Sequence, residues 1–173
     1  MKTVIVVGSR HGATRGIADA LAAELTRNGH PTDVATIADA PPLTDYDAVI
    51  VGSSVYFGHW LTEARQYVER NQQALRGRRV WLFSSGPVGQ AAPKPDDKPH
   101  EIDQLVTLVN ARGHRVFFGK LDPAQLGLGE RFVIWNVKRI THDEVRDGDF
   151  RDWSAIRDWA DEISSALTDA VPL

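Results

Sequence analysis

The stretch VVGSRHGATRGIADAL, residues 6–21, joins the end of a strand to the beginning of a helix. The residues Thr3–Val7 form a short β-branched apolar run, which is typical of a parallel strand covered on both faces. After the turn, apolar side chains recur every four residues and predict a helix ending near Asn28 and Gly29, with its inward face at Ile17, Leu21 and Leu25. Unpaired backbone N–H groups and the helix dipole favour an anion at such a turn. The segment 9–14 is therefore a predicted phosphate site.

Composition narrows the classes of protein that the chain can represent. Its 173 residues suit a single α/β domain over 1–173, and a net charge of −3 gives no reason to expect a nucleic-acid partner. The chain has no cysteine, so redox chemistry would need a bound organic cofactor, and we expect no metal site. The first strand begins at residue 3 and no apolar run is long enough for a membrane span, so we expect a cytoplasmic protein.

Strands and helices alternate along the chain, which predicts an open, doubly wound parallel sheet. The expected strands are Thr3–Val7, Asp33–Ile37, Ala48–Val51, Val80–Phe83 and Arg115–Phe118. After the first helix, we expect one from Thr62 (a candidate N-cap) to Leu75, one through Ile102–Val109 ended by Gly113, and a last one through Trp153–Leu167.

An insertion of about 30 residues, 120–150, precedes the last helix, where a short connection would suffice. It contains the apolar run Phe132–Val137 between basic residues. One interpretation is an extra helix packed on the domain. The others are a lid, an oligomer contact or a dock for an apolar partner.

Three segments follow strands at the carboxyl edge of the predicted sheet, where ligands of such sheets bind. They are Gly8–Thr14, Gly52–Trp60 and Ser84–Gly89. Together they offer hydroxyl and amide donors, glycines for close backbone approach, and aromatic rings. This combination favours a phosphorylated aromatic cofactor.

Two other α/β classes fit poorly. A phosphorylatable receiver domain needs aspartates after the first and third strands, but the chain reads Val7-Gly8-Ser9 and Val51-Gly52-Ser53 there. A dinucleotide-binding domain needs Gly-x-Gly-x-x-Gly, which the first turn lacks.

Three segments carry a resemblance to one branch of a known superfamily: SRHGATRGIA (9–18), VGSSVYFGH (51–59) and DFRDWSAIRDWADEI (149–163). The superfamily is that of the flavodoxins, which the chain resembles over nearly its whole length. The first segment is similar to the flavodoxin phosphate loop (Thr/Ser)-x-Thr-Gly-x-Thr and departs from it at His11. Within the superfamily the chain looks most like the menaquinone-dependent protoporphyrinogen oxidase branch, which also carries an insertion before the last helix. The resemblance implies a flavodoxin-like five-stranded sheet in the order 2-1-3-4-5.

By this resemblance the cofactor is FMN. Its phosphate would lie on Ser9, Arg10, His11, Gly12, Ala13 and Thr14, and its ring against Tyr56 or Phe57 and Trp60. The pyrimidine edge would lie near Ser85, Gly86, Pro87, Val88 and Gly89. The other candidate contacts on the second and third segments are Ser53, Ser54, Val55, Gly58 and Ser84.

Simpler roles compete with several of these assignments. Ser9 and Thr14 could cap the first helix, the three aromatic residues could be core residues, and His11 could brace its loop. His59 is a candidate proton donor beside the flavin, although a solvated loop histidine is the commoner case.

Two function classes follow from the resemblance. The first is an enzyme that oxidises a tetrapyrrole or similar small apolar substrate and passes electrons to a quinone, with a peripheral contact to the inner face of the membrane as one use of the insertion. The second is an electron-transfer protein that docks on partner redox proteins. The insertion and the modest net charge of −3 favour the enzyme, and the oligomeric state stays open.

Overall fold

The computed structural model describes residues 1–86, 98–121 and 148–169. A twisted parallel sheet separates two layers of helices. Its strands are β1 (Thr3–Gly8), β2 (Thr32–Thr36), β3 (Ala48–Tyr56), β5 (Arg79–Gly86) and β6 (Gly113–Phe118), in the order β2-β1-β3-β5-β6. The short strand β4 (His59–Trp60) returns antiparallel along the end of β3. Apart from that hairpin strand, this is the order 2-1-3-4-5 that the resemblance implied, so the prediction is confirmed.

Each face of the sheet is covered by its own helices. One face carries α1 (Ala13–Arg27) and α5 (Trp153–Thr168), and the other carries α2 (Thr62–Arg70), α3 (Gln72–Arg76), α4 (Ile102–Val109) and the 3-10 turn Leu43–Asp45. The alternation of side chains along β1 supplies both cores. Ile5 and Val7 pack with α1 and α5, while Val4 and Val6 pack against the opposite helices. The continuous apolar run of β1 is therefore buried on both faces, as predicted.

Two predicted helix boundaries are wrong. The helix expected from Thr62 to Leu75 is divided at Asn71. Its N-cap is Leu61 instead of Thr62, with no side-chain cap, and the Leu61 carbonyl accepts from the N–H groups of Ala64 and Arg65. Helix α4 stops at Val109 because Asn110 adopts a left-handed conformation with φ of 55°. Gly113 consequently begins β6 instead of ending the helix.

The insertion is closed at its base. Strand β7 (Lys120–Leu121) pairs antiparallel with β8 (Gly148–Asp149), and the Phe150 N–H donates to the Gly119 carbonyl at 3.2 Å. The apolar run 132–137 lies outside the described residues, so the four alternatives (an extra helix, a lid, an oligomer contact or a dock for an apolar partner) stay predictions. In the three described ranges, no helix combines the length and apolar character that crossing a membrane requires.

Candidate functional site

The turn between β1 and α1 has an open face at Gly12. This residue is the N-cap of α1, with φ of 77° and no side-chain cap. A Cβ placed on Gly12 would meet nothing within 4 Å, so space remains beside the amino end of the helix. Backbone N–H groups of a first helical turn have no intrahelical acceptors, so this turn fits a phosphate. Ser9 braces the loop, since its hydroxyl accepts from the Arg15 N–H at 3.4 Å.

Thr14 faces the protein. Its Oγ1 lies 2.8 Å from Ser54 Oγ, and its side chain is buried. Ser54 Oγ is also 3.4 Å from the Gly8 carbonyl, so these hydroxyls tie the start of α1 to the ends of β1 and β3. A direct bond from Thr14 to a phosphate remains a prediction.

The first and second segments meet at Tyr56. The Arg10 guanidinium lies 4.9 Å from the centroid of the Tyr56 ring, and the His11 ring approaches it edge-on at 6.4 Å. The sheet therefore brings together residues more than 40 positions apart in the chain, as the shared edge of parallel strands predicts.

The β3–β4 hairpin presents an aromatic side chain at its tip. The two turn residues, Phe57 and Gly58, have positive φ values of 50° and 78°, as a type I′ turn requires. Phe57 is 81% exposed, so its ring is available to an aromatic cofactor or an apolar substrate. The backbone N–H of His100 donates to the Gly58 carbonyl at 3.0 Å, which ties the turn to the segment that precedes α4.

Trp60, unlike Phe57, is buried, and it belongs to the core on the face that carries α2, α3 and α4. Its Nε1–H donates to Ser84 Oγ at 2.8 Å. The competing interpretation of Trp60 as a core residue is thus the one its position favours. The Ser84 hydroxyl also lies 2.8 Å from His114 Nε2, so it links the indole of Trp60 to the imidazole of His114. Burial lowers the pKa of His114 to about 4, so this imidazole is neutral.

The second and third segments begin later than the sequence suggested. The residues predicted as loop donors lie inside β3 and β5, where Ser53 pairs with Ser84 and Ser54 with Ser85, and all four are buried. The Ser53 hydroxyl donates to the Ser54 carbonyl and accepts from the Leu61 N–H, so it is used within the protein.

At the ends of β3 and β5, Val55 and Gly86 pack closely. A Cβ added to Gly86 would lie 2.9 Å from Val55 Cβ, so the small residue permits this approach. The other third-segment candidates, Pro87, Val88 and Gly89, lie outside the described residues.

His59 has a partner that the sequence did not reveal. Its Nδ1 lies 3.0 Å from Glu101 Oε2, and Glu101 Oε1 accepts the Trp60 N–H at 2.8 Å. Partial burial opposes ionisation, but the bonds from the Trp60 backbone, from Glu101's own backbone N–H and from His59 outweigh it and lower the pKa of Glu101. No local pattern marks Glu101, since it is 42 residues from His59.

Arg151 is a second residue that the sequence analysis missed. It follows β8, its Nε donates to Asp149 Oδ1 at 2.7 Å, and its Nη1 lies 3.4 Å from the Ala13 carbonyl. This pairing with Arg151 lowers the pKa of Asp149 despite partial burial. The base of the insertion is thereby attached to the first turn of α1. Within the described ranges, no set of three or more His, Asp or Glu side chains could hold a metal ion.

Comparisons with known proteins agree with this arrangement. The flavodoxin domain family matches residues 4–147. The protoporphyrinogen IX dehydrogenase [quinone] of Escherichia coli K12 is 28% identical over 180 residues, covering 98% of this chain and 97% of that protein. The Leishmania major protein of the same name is 24% identical over 180 residues, covering 99% of this chain and 78% of that protein.

A solved flavodoxin from Streptococcus pneumonia TIGR4 superposes with a TM-score of 0.60 at 18% identity, covering 96% of this chain and 99% of that one. At that identity the likeness shows the fold. A flavodoxin domain implies a flavin cofactor, and the open turn at Gly12, with the Tyr56 ring next to Arg10 and His11 of the same turn, fits one. The family match spans most of the chain, so the chain belongs to the flavodoxin domain family.

Proposed function

We propose that this chain is an FMN-dependent oxidoreductase that oxidises a tetrapyrrole or a similar apolar reductant and passes the electrons to a quinone. The observation that carries the proposal is the similarity to protoporphyrinogen IX dehydrogenase [quinone] over 98% of this chain, a span that includes most of the insertion. The identity of 28% supports the reaction class more strongly than the exact substrate.

FMN fits the site better than a dinucleotide, because the described sheet edge offers a single phosphate turn. The backbone of 9–14 would hold the phosphate, with Arg10 contributing positive charge nearby. Tyr56 and Phe57 would contact the isoalloxazine ring, and Ser85 and Gly86 would lie towards its pyrimidine edge. When bound, FMN supplies two-electron transfer between one small molecule and another.

The protein's own contribution would be to position both molecules and to move protons. The exposed ring of Phe57 offers apolar contact area to a flat substrate. His59 would exchange a proton with that substrate, since its ring is more than half exposed at the same hairpin. The segment 132–137 would cover an apolar substrate or lie on a membrane surface where quinones dissolve.

An anaerobic assay with protoporphyrinogen and a soluble menaquinone analogue tests the proposal. The FMN-loaded protein should form porphyrin only when the quinone analogue is present, and the FMN-free protein should form none. Absence of porphyrin formation by a reducible, FMN-loaded protein would favour the second function, an electron carrier for partner redox proteins. The fold shared with a flavodoxin is the observation behind that alternative.

A further inference from the structure

Glu101 touches the β3–β4 hairpin at two successive residues. One carboxylate oxygen accepts the Trp60 backbone N–H at 2.8 Å, and the other lies 3.0 Å from His59 Nδ1. The carboxylate is only 11% exposed, whereas the His59 side chain is 57% exposed. A shielded acceptor thus holds one nitrogen of a ring that otherwise faces outward.

We propose that Glu101 is a positioning residue that fixes the tautomer of His59. The Trp60 N–H can only donate, so it occupies Oε1 as an acceptor. An ionised carboxylate has no proton to give, so Oε2 can only accept, and His59 Nδ1 must carry the ring proton. Nε2 is then the nitrogen that accepts a proton from, or returns one to, a molecule at the hairpin. This role in proton transfer rests on the proposed function.

The other titratable groups near His59 and Glu101 do not change the assignment of the ring proton to His59 Nδ1. The His100 ring lies 4.9 Å from the His59 ring, centroid to centroid, and packs against it at a tilt of 45°. Lys98 is paired with Asp103, with its Nζ 2.7 and 3.0 Å from the two carboxylate oxygens. Among the described residues, Glu101 is therefore the carboxylate that contacts the His59 ring.

The substitution Glu101→Gln makes a sharp prediction, because an amide has one acceptor and one donor end. The Trp60 N–H requires the carbonyl oxygen, which leaves the NH2 group facing His59 Nδ1. Nδ1 must then accept, and the ring proton moves to Nε2. The variant thus reverses the tautomer while keeping the bond to the hairpin backbone.

The experiment is 15N NMR of histidine-labelled protein without cofactor, at a pH about two units above the ordinary histidine value. His59→Gln identifies the His59 signals. We expect the Nδ1–H tautomer in the native protein and the Nε2–H tautomer in Glu101→Gln. The control is Asp103→Asn, a matched amide substitution beside the same helix end, which should keep the Nδ1–H tautomer. An Nε2–H tautomer in the native protein, or an unchanged one in Glu101→Gln, would overturn the proposal.

The second part of the experiment measures FMN affinity and the turnover of protoporphyrinogen with the menaquinone analogue. Glu101→Gln should bind FMN within about twofold of the native protein and lose roughly tenfold or more in turnover, since a positioned proton-transfer group contributes about 10²–10⁴-fold. Asp103→Asn should match the native protein in both. A reversed tautomer with native turnover would overturn the assigned role. Failure of the native protein to bind FMN would instead overturn the proposed function, and the tautomer result would stand apart from it.

Discussion

The hydroxyls of Thr14 and Ser54 lie 2.8 Å apart and both side chains are buried. One belongs to the first turn of α1 and the other to β3, two residues before Tyr56. This bond joins the turn that fits a phosphate to the strand that carries the hairpin. The pair therefore holds the turn in place against the strand.

Thr14→Val and Ser54→Ala separate two roles for this hydroxyl pair. If Thr14 also bonds the phosphate, Thr14→Val should weaken FMN binding by roughly 1.5–3 kcal/mol, because a bond to a charged group is lost. Ser54→Ala should change the affinity by less than about 0.5 kcal/mol, since Thr14 keeps its hydroxyl. FMN titration monitored by flavin fluorescence measures both. Equal affinities in the two variants would limit Thr14 to bracing the turn.

Gly12→Ala tests the phosphate turn, with Gly29→Ala as its matched control. Both glycines have positive φ, 77° and 89°, and a Cβ on either would meet nothing within 4 Å. Each substitution should therefore cost roughly 1–2 kcal/mol of unfolding free energy through backbone strain. Only Gly12→Ala should also weaken FMN binding, because its methyl group points into the space beside the helix start. A similar loss of FMN affinity in Gly29→Ala would assign the effect to stability.

Phe57→Asn tests whether the hairpin tip sacrifices stability for function. Phe57 has φ of 50° and is 81% exposed, whereas asparagine suits this position of a type I′ turn. The variant should raise the unfolding free energy by roughly 0.5–1 kcal/mol, measured by urea denaturation, and should slow turnover with an apolar substrate. Phe57→Tyr, which keeps the ring, should change neither quantity. Native turnover in Phe57→Asn would assign no substrate or cofactor contact to this ring.

His114 makes stability depend on pH. Its pKa is lowered from 6.5 to about 4 in the folded protein because burial disfavours the imidazolium. The unfolded chain therefore binds a proton between these values while the folded chain does not. The contribution of neutral His114 to the free energy of unfolding is fully present above pH 6.5. It is lost as the pH falls towards 4, and the total loss is up to about 3 kcal/mol.

The measurement is urea denaturation of native protein and His114→Asn at pH 7 and at pH 4.5. The carboxylates titrate in both proteins, so the difference in their pH dependence isolates His114. The native protein should lose more stability than the variant on acidification. Parallel losses would show that His114 is protonated without penalty in the fold.

The positions of the strands and helices along the chain could be predicted from local sequence patterns. The apolar run of β1, the four-residue repeat of α1 and the stop at Asn28 and Gly29 are determined by neighbours in the chain. The strand order came from the resemblance.

The features that local patterns did not show depend on partners that are distant in sequence. Ser53 and Ser54 extend β3 because β5 pairs with them and their hydroxyls are satisfied internally. Trp60 turns inward to reach Ser84, and Glu101 reaches His59 across 42 residues. From local sequence alone, polar residues at the end of a strand are assigned to a loop, because their partners in the fold are not visible in the sequence.

Titration of the purified, cofactor-free protein with FMN tests the central claim most directly. Bound flavin, measured by the quenching of its fluorescence, should saturate at one FMN per chain. Mass analysis of the cofactor released from the protein as first purified, before any FMN is added, should return FMN. Gly12→Ala should require a higher FMN concentration to reach the same saturation. Absence of binding at saturating FMN, or recovery of FAD alone, would contradict the assignment of the β1–α1 turn as an FMN phosphate site.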